Sequence, residues 1–233
     1  AGGGQYKLSC HQACRGCDLK SDPGQIPCPK SWGKTPEGVN PVDKTISINA
    51  PLRNDMVRQL KSGDHVEING VVYAARDAAH KRLIEMLDKG EELPFDIKDQ
   101  IIYYVGPCPA RPGHVIGSAG PTTSGRMDVY TPRLIELGLA GMIGKGLRSD
   151  EVVEAMRKFG AVYFGAVGGA GALLSKCIVS EEIAAFPELG PEALRKLVVR
   201  NFPAVVIIDS EGRDLYSSGR RRFQHVFAQN RKM

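Results

Sequence analysis

A chain of 233 residues, 42% of them hydrophobic, is long enough to bury a sizeable core without disulfides. It has six cysteines and no apolar run near the roughly 20 residues that a membrane span requires, so we expect a soluble protein of the reducing cytoplasm with no membrane partner. The net charge of +5 is accounted for by the five basic residues that follow residue 216. Residues 1–216 therefore carry equal numbers of acidic and basic residues, which argues against a nucleic-acid partner.

The first 42 residues are rich in cysteine, glycine and proline, and we expect an irregular extension over residues 1–42. Within it Cys10, Cys14 and Cys17 follow one another at x3 and x2 spacing, and Cys28 lies beyond them. This spacing is typical of loops that bind a [4Fe–4S] cluster, including those of radical S-adenosylmethionine enzymes. Four thiolates equally suit a tetrahedral zinc. An unliganded extension is the third interpretation, and the residues leave all three open.

The folded domain is predicted to span residues 43–216 and to begin its sheet with a β-hairpin. In HVEINGVVYAARD, Asn69 and Gly70 stand between two apolar runs. Asn-Gly is the strongest short-range hairpin signal, because both turn residues need positive φ. The next segment, AAHKRLIEMLDKG, has its long apolar residues on one face and Gly90 as a C-cap, which predicts a helix directly after Arg76 and Asp77.

Two further predicted strands are separated by a long loop and a helix. IIYYVG is apolar, β-branched and aromatic, and AGMIGKG reads as a short buried strand that ends in Lys145. The loop PCPARPGHVIGSAGP leads from the first strand to TTSGRMD, and long ordered loops in compact domains are usually functional. YTPRLIELG predicts a helix with Thr131 as N-cap, Pro132 at N1 and Gly138 closing it.

The C-terminal part continues to alternate strand and helix patterns. Ser149 and Asp150 cap the predicted helix EVVEAMRKFG, AVYFGAV predicts a strand, and GGAGALLSK predicts a helix. The glycines of GAVGGAGALL do not match G-x-G-x-x-G, so a dinucleotide site is not favoured. GPEALRKL predicts a helix and AVVIID a strand that ends in a Ser-Glu-Gly turn. The alternation predicts an α/β fold with a mixed sheet.

Residues 217–233 are a basic C-terminal tail without acidic residues. Its phenylalanines interleave with arginines at helical spacing, which predicts a solvated terminal helix with one apolar edge. Contact with RNA or a membrane surface is the less favoured interpretation.

Three basic residues stand at the ends of predicted elements. Arg76, Arg126 and Lys145 follow segments that leave the sheet near a common edge, where ligands of α/β proteins bind. If they converge, they suit a small dicarboxylate, because Arg offers a bidentate fork to each carboxylate. Each is otherwise an ordinary surface charge.

Several sequence blocks, taken in chain order, resemble one known family. ARDAAH, IIYYVGP, GPTTSGRMD, GKGLRS, FGAVGGAGALL and FPELG, between about Asp43 and Tyr216, are similar to the beta subunit or C-terminal domain of class I iron–sulfur fumarases. The family also includes L-tartrate dehydratase beta subunits. Those tend to carry a more glycine-rich stretch where this chain has KGLRS, so the resemblance favours fumarate as the substrate.

The resemblance implies a swivelling β/β/α domain that closes over a [4Fe–4S] cluster held by a separate alpha subunit, in an alpha2beta2 assembly that interconverts fumarate and (S)-malate. It implies that Thr122 is the catalytic group for proton transfer. It also implies that Arg76, Thr123, Arg126 and Lys145 bind the substrate.

The cysteine-rich extension lies outside these matching blocks. The resemblance therefore assigns no cluster ligands to Cys10, Cys14, Cys17 and Cys28, which remain candidates for zinc or an iron–sulfur cluster of the extension. A second interpretation follows from them: a metal-binding interaction or electron-transfer module joined to a hydro-lyase-like domain that is not catalytic.

Overall fold

The computed structural model describes residues 45–230. Their strands and helices follow one another in this order: β1 Ile46–Ala50, α1 Asn54–Gln59, β2 His65–Ala74, α2 Asp77–Asp88, β3 Ile101–Tyr103, α3 Thr131–Glu136, β4 Gly141–Gly144, α4 Asp150–Phe159, β5 Val162–Gly165, α5 Gly171–Leu174, β6 Ile178–Ala185, β7 Leu194–Ile208 and α6 Leu215–Asn230. Short 3₁₀ helices lie at Ser124–Met127, Ser175–Cys177 and Pro187–Glu192.

The strands form one mixed sheet, and five of them close into a ring. The order is β1-β2-β3-β4-β5-β7-β6, and β7 also pairs with β2, so that β2, β3, β4, β5 and β7 surround a barrel-like interior. Strands β1 to β5 pair in parallel, whereas β7 runs antiparallel to β2, β5 and β6. The predicted α/β fold with a mixed sheet is confirmed, and the closure of the sheet is an additional finding.

Two apolar cores lie on the two faces of this sheet. Successive side chains of a strand point to opposite faces. Ile101 and Tyr103 accordingly join a cluster built from all five ring strands, whereas Ile102 and Tyr104 join a cluster with residues of α2, α3 and α4. The first cluster fills the ring and the second fixes the helices on its outside.

The hairpin prediction at Asn69 and Gly70 is wrong, because β2 runs through both residues without reversing. Gly70 does have positive φ, 99°, but it uses it in a bulge where the register against β7 shifts. A side chain at Gly70 would also collide with the carbonyl oxygen of Ala50 on β1. Asn69 contributes to this arrangement, since its Oδ1 accepts the backbone N–H of Asn201 at 2.8 Å.

The helix predicted for GPEALRKL is also wrong. Gly190 has a non-helical φ of 58° and kinks the 3₁₀ segment Pro187–Glu192, and β7 begins at Leu194. This part of β7 pairs with β2 on one side and β6 on the other. Pairing on both sides outweighs the helical propensity of the segment, which is a weak preference of below about 1 kcal/mol per residue.

The predicted helices at α2, α4 and α6 and the predicted strands at β3, β4 and β5 are confirmed. In α3, however, the N-cap is Tyr130, and Thr131 lies inside the helix with its hydroxyl donating to the Met127 carbonyl at 2.8 Å. Within residues 45–230 there is no helix of the length and apolar character that crossing a membrane requires. The predictions for Cys10, Cys14, Cys17 and Cys28 lie outside the described residues.

Candidate active site

The candidate site forms where β3 and β4 diverge. These parallel strands stay paired up to Tyr104, whose N–H donates to the Ile143 carbonyl at 2.8 Å. Beyond this point Thr122 lies between them: its N–H donates to the Tyr104 carbonyl at 2.8 Å, and its own carbonyl accepts the Lys145 N–H at 3.2 Å. A crevice at the carboxyl ends of parallel strands is the usual ligand site of α/β sheets.

Thr122 and Arg126 are in direct contact. The 3₁₀ helix Ser124–Met127 carries Arg126, and its Nη2 donates to Thr122 Oγ1 at 2.7 Å. The Thr122 side chain is half-buried, and the Arg126 side chain is 47% exposed. A guanidinium at this distance stabilises negative charge on the hydroxyl oxygen, which is the form in which a threonine accepts a proton.

Arg76 reaches the same point from the end of β2. Its Nε lies 3.2 Å from Asp77 Oδ2, and Arg126 Nη2 lies 3.1 Å from that same oxygen. Two guanidiniums are thus held side by side by one carboxylate. The structure thus joins Arg76 and Arg126, two of the three cations predicted to lie at a common edge, through one carboxylate oxygen. Thr122 lies beside them through its contact with Arg126.

The position of Arg76 is fixed from two other directions. Its Nη2 lies 3.4 Å from Glu192 Oε1, while Glu192 Oε2 accepts the N–H of Ala78 in the first turn of α2 at 3.0 Å. Gly106 leaves space for the arginine, since a Cβ at this position would lie 2.8 Å from Arg76 Cδ. Glycine is needed here for close approach and not for an unusual φ.

His80 also holds Arg76 in place. Its ring is buried on α2, and its Nδ1 lies 2.9 Å from the Arg76 carbonyl oxygen. Since a carbonyl only accepts, Nδ1 carries the proton and donates. Burial, together with the nearby Arg148, lowers the pKa of His80 to about 4, although that hydrogen bond and Asp77 act in the opposite direction. His80 is therefore neutral at pH 7.

Thr123 and Lys145 face one another through their backbones. They form a single parallel bridge, and both side chains are exposed. A Cβ at Gly168 would lie 3.6 Å from Lys145 Cδ and 4.0 Å from its Nζ, so the ammonium extends past the glycine-rich turn after β5. Within the described part of the chain the ammonium forms no hydrogen bond or ion pair, which leaves its donors free for a ligand.

A buried polar network supports the site from below. The side chain of Arg148 is fully buried, and its Nε donates to Asp128 Oδ1 at 2.7 Å. Its Cζ lies 5.3 Å from the ring centre of Tyr104 and 5.0 Å from that of Tyr163. Asp128 Oδ2 accepts the N–H of Ser149 at 2.6 Å. This network ties the segment after Lys145 to the 3₁₀ helix that carries Arg126.

Ser124 is fully buried beneath the two threonines. Its Oγ lies 2.9 Å from Tyr163 Oη, and its N–H donates to the Lys145 carbonyl at 2.9 Å. Gly144 on β4 leaves the space for this side chain, since a Cβ there would collide with Ser124 Oγ.

Sequence reasoning missed the residues that organise the candidate site. Asp77 and Arg148 lie inside the motifs ARDAAH and GKGLRS, next to predicted site residues, and this position was the signal that could have identified them. Glu192 and Tyr163 lie far along the chain from the residues they contact, and no local pattern marks them.

A comparison with protein families matches residues 21–219 to the model described as the fumarase C-terminus. The match therefore begins inside the segment 1–42 and covers most of the chain.

Individual relatives agree with this match. The aerobic class I fumarate hydratase of Escherichia coli K12 is 38% identical over 202 residues, which are 85% of this chain and 36% of that protein. Fumarate hydratase 2 of Leishmania major is 42% identical over 181 residues, 74% of this chain and 32% of that protein. A Methanocaldococcus jannaschii protein named "Putative L(+)-tartrate dehydratase subunit beta" is 42% identical over 166 residues, 69% of this chain and 85% of that protein. This chain thus spans about a third of the length of the two fumarate hydratases.

Proposed function

This chain belongs to the fumarase C-terminus family, and on that premise we propose that it is the beta subunit of a hydro-lyase that interconverts fumarate and (S)-malate. Fumarate hydratases and a tartrate dehydratase subunit are among its relatives, so the family is one of hydro-lyases. The observation that carries the proposal is the convergence of Arg76 and Arg126 on one carboxylate oxygen beside the Thr122 hydroxyl.

The two arginines bind the substrate carboxylates in this proposal. One carboxylate oxygen of Asp77 lies between them and contacts both guanidiniums. This contact marks a place where a carboxylate accepts hydrogen bonds from both arginines. Hydrogen bonds to charged groups are worth about 1.5 to 3 kcal/mol each. The backbone N–H of Lys145 donates to the Thr122 carbonyl, and the Lys145 ammonium adds a third cation. Thr123 adds a hydroxyl on the same edge.

Thr122 moves the proton. In the dehydration of malate its oxygen takes a proton from the carbon next to a carboxylate, and in the hydration of fumarate it returns that proton. The oxygen is a poor base unless its anion is stabilised. The Arg126 guanidinium at 2.7 Å supplies this stabilisation in a site that substrate binding shields from water.

The [4Fe–4S] cluster and its open iron belong to a separate alpha subunit in this proposal. Among residues 45–230, no three His, Cys, Asp or Glu side chains are grouped so that they fit a metal ion, and the cysteines of this range are Cys108 and Cys177. These residues do not fit the cluster, and every step proposed here uses side chains of this chain. We further propose an alpha2beta2 assembly in the cytoplasm, in which residues 43–216 swivel over the alpha subunit.

A tartrate dehydratase beta subunit is the second candidate function. The relative with that name differs from the fumarate hydratases in being of similar length to this chain, which covers 85% of it. Thr122, Arg76 and Arg126 suit either reaction, because (S)-malate and L-tartrate are both dicarboxylates that lose a proton and a hydroxyl group.

A third candidate rests on Cys10, Cys14, Cys17 and Cys28, which lie outside the described residues. It is a metal-binding interaction or electron-transfer module joined to a hydro-lyase-like domain that is not catalytic. Iron and zinc analysis of the full chain, together with the activity assay below, separates it from the enzyme.

The test is anaerobic reconstitution with the fumarase-type alpha subunit of the same source after its cluster is restored. Hydration of fumarate and dehydration of L-tartrate are measured for each chain alone and for the mixture. We expect activity in the mixture alone and its loss in Arg126→Ala.

Arg133→Ala is the matched control. Arg133 is 44% exposed and pairs with Asp88, much as Arg126 is 47% exposed and pairs with Asp77. Arg133→Ala is expected to keep the wild-type rate. A mixture that turns over neither dicarboxylate would contradict the enzyme, and bound iron or zinc in the chain alone would then favour the module.

A further inference from the structure

The hydroxyl of Tyr163 joins the two segments that carry the candidate catalytic groups. Tyr163 lies on β5 and is fully buried. Its Oη lies 2.9 Å from Ser124 Oγ and 3.0 Å from the Gly146 carbonyl oxygen. Ser124 follows Thr122 and Thr123 directly, and Gly146 follows Lys145. One oxygen atom thus contacts both the segment of Thr122 and the segment of Lys145.

The directions of these hydrogen bonds follow from the chemistry of the partners. A carbonyl oxygen only accepts, so the single Tyr163 hydroxyl proton goes to Gly146. Ser124 must then donate its proton to Tyr163 Oη. Burial raises the pKa of Tyr163 far above its ordinary value, so the hydroxyl keeps its proton at any pH at which the protein is studied.

Besides the buried pair of Arg148 and Asp128, backbone hydrogen bonds hold these two segments in register. Thr122 N–H donates to Tyr104, Lys145 N–H to Thr122, and Ser124 N–H to Lys145, and beyond them the regular pairing of β3 and β4 has ended. The Tyr163 ring cannot shift freely, because it packs against the buried guanidinium of Arg148 at 5.0 Å. The hydroxyl is therefore a fixed point against which both segments are placed.

We propose that Tyr163 is a positioning residue for the hydro-lyase reaction, whose hydroxyl sets the place of Thr122 relative to Lys145. Tyr163 does not touch the substrate and acts through Ser124 and Gly146. This inference rests on the proposed function, since it names what keeps the proton-transfer oxygen in place. Misplacement of a reacting group by about 1 Å costs about 100-fold in rate, so small shifts at this point matter.

The test compares Tyr163→Phe with Tyr103→Phe in the full chain assembled with its alpha subunit. Tyr103, on β3, which β4 separates from β5, is equally buried, and its hydroxyl donates to the Ala119 carbonyl at 2.6 Å. Each variant loses one buried hydroxyl and keeps its ring. Tyr163→Phe is expected to lower kcat by about 10- to 100-fold and to change KM by less than about 3-fold, because Arg76 and Arg126 are untouched. Tyr103→Phe is expected to keep the wild-type kcat.

A second measurement does not depend on turnover. Hydrogen exchange reports the protection of the Ser124 and Lys145 amides, whose N–H groups donate to the Lys145 and Thr122 carbonyls between the two segments. We expect Tyr163→Phe to lose protection at both amides and Tyr103→Phe to retain it. Ser124→Ala removes one of the two hydrogen bonds of Tyr163 Oη by a smaller change, and its effect on kcat is expected not to add to that of Tyr163→Phe.

Wild-type kcat in a folded Tyr163→Phe assembly, or wild-type protection of both amides, would overturn the inference. If Tyr163→Phe does not fold, wild-type kcat in Ser124→Ala would overturn it equally. A wild-type assembly that turns over no dicarboxylate would contradict the proposed function itself, which is a different result from an active wild type with an equally active variant.

Discussion

Acid is expected to destabilise this protein through His80 before it protonates most carboxylates. The ring is fully buried on α2, with Tyr104 edge-on at 5.2 Å, and its Nδ1 donates to the Arg76 carbonyl. Burial lowers the pKa of His80 from 6.5 to about 4 in the folded protein. The unfolded chain therefore binds more protons between these two values, and stability rises with pH across that window and is lost as the pH falls through it.

The magnitude follows from the two pKa values. Each pKa unit corresponds to about 1.4 kcal/mol, so the gap between 6.5 and about 4 corresponds to about 3 kcal/mol when the pH is well below 4. At pH 4.5 about 2.5 kcal/mol of this loss is already present, and at pH 7 almost none is. Against a typical total stability of about 5 to 15 kcal/mol, such a loss is easily measured.

The assay is urea unfolding of the wild type and of His80→Gln at pH 7 and pH 4.5. Glutamine keeps an N–H donor and does not titrate. Asp209 has its pKa lowered by hydrogen bonds from Arg213 and Ser62, although burial opposes the shift, and it contributes equally to both proteins. We expect the wild type to lose about 2.5 kcal/mol more than the variant between the two pH values. Equal losses in the two proteins would show that His80 does not cause this pH dependence.

Three further substitutions test the site and its support. Arg148→Met leaves the largely buried Asp128 carboxylate without its ion-pair partner and is expected to cost about 3 to 5 kcal/mol in urea unfolding, and a loss below about 1 kcal/mol would contradict a structural role for the pair. Gly144→Ala pushes against Ser124 and is expected to cost about 1 to 3 kcal/mol; unchanged thermal unfolding would show that the serine has room to move. Arg76→Lys keeps the charge and loses the fork, so KM for the dicarboxylate is expected to rise about 10-fold with kcat less affected. Wild-type KM in steady-state kinetics would exclude Arg76 from carboxylate binding.

Local signals in the sequence located most helices and strands. Gly90 ends α2 as expected, with φ of 72°, and the apolar run of β4 is buried throughout. The wrong predictions concern segments whose conformation is decided by pairing with a strand on each side. Gly70 has the predicted positive φ, but β1 and β7 pair with β2 on either side and leave no room for a turn. Closure of the ring depends on β2–β7 pairing between distant segments, which no local pattern encodes.

The candidate site divides in the same way. Thr122 and Arg126 lie four residues apart, so their contact was predictable from one short motif. The carboxylate that joins Arg126 to Arg76 was not, because Asp77 has an ordinary place in the first turn of a helix. Tyr163 reads as one more apolar strand residue, and only the folded chain shows what its hydroxyl contacts.

Proton transfer by Thr122 is tested most directly by isotope exchange. The assembled enzyme is incubated with (S)-malate in D₂O, and exchange of one of the two C3 hydrogens is followed by NMR for the wild type and for Thr122→Val, which keeps the size of the side chain and removes its hydroxyl. We expect the wild type to exchange this hydrogen and the variant to lose exchange by a factor of about 100 or more while it still binds the dicarboxylate. Exchange at the wild-type rate in Thr122→Val would contradict the account.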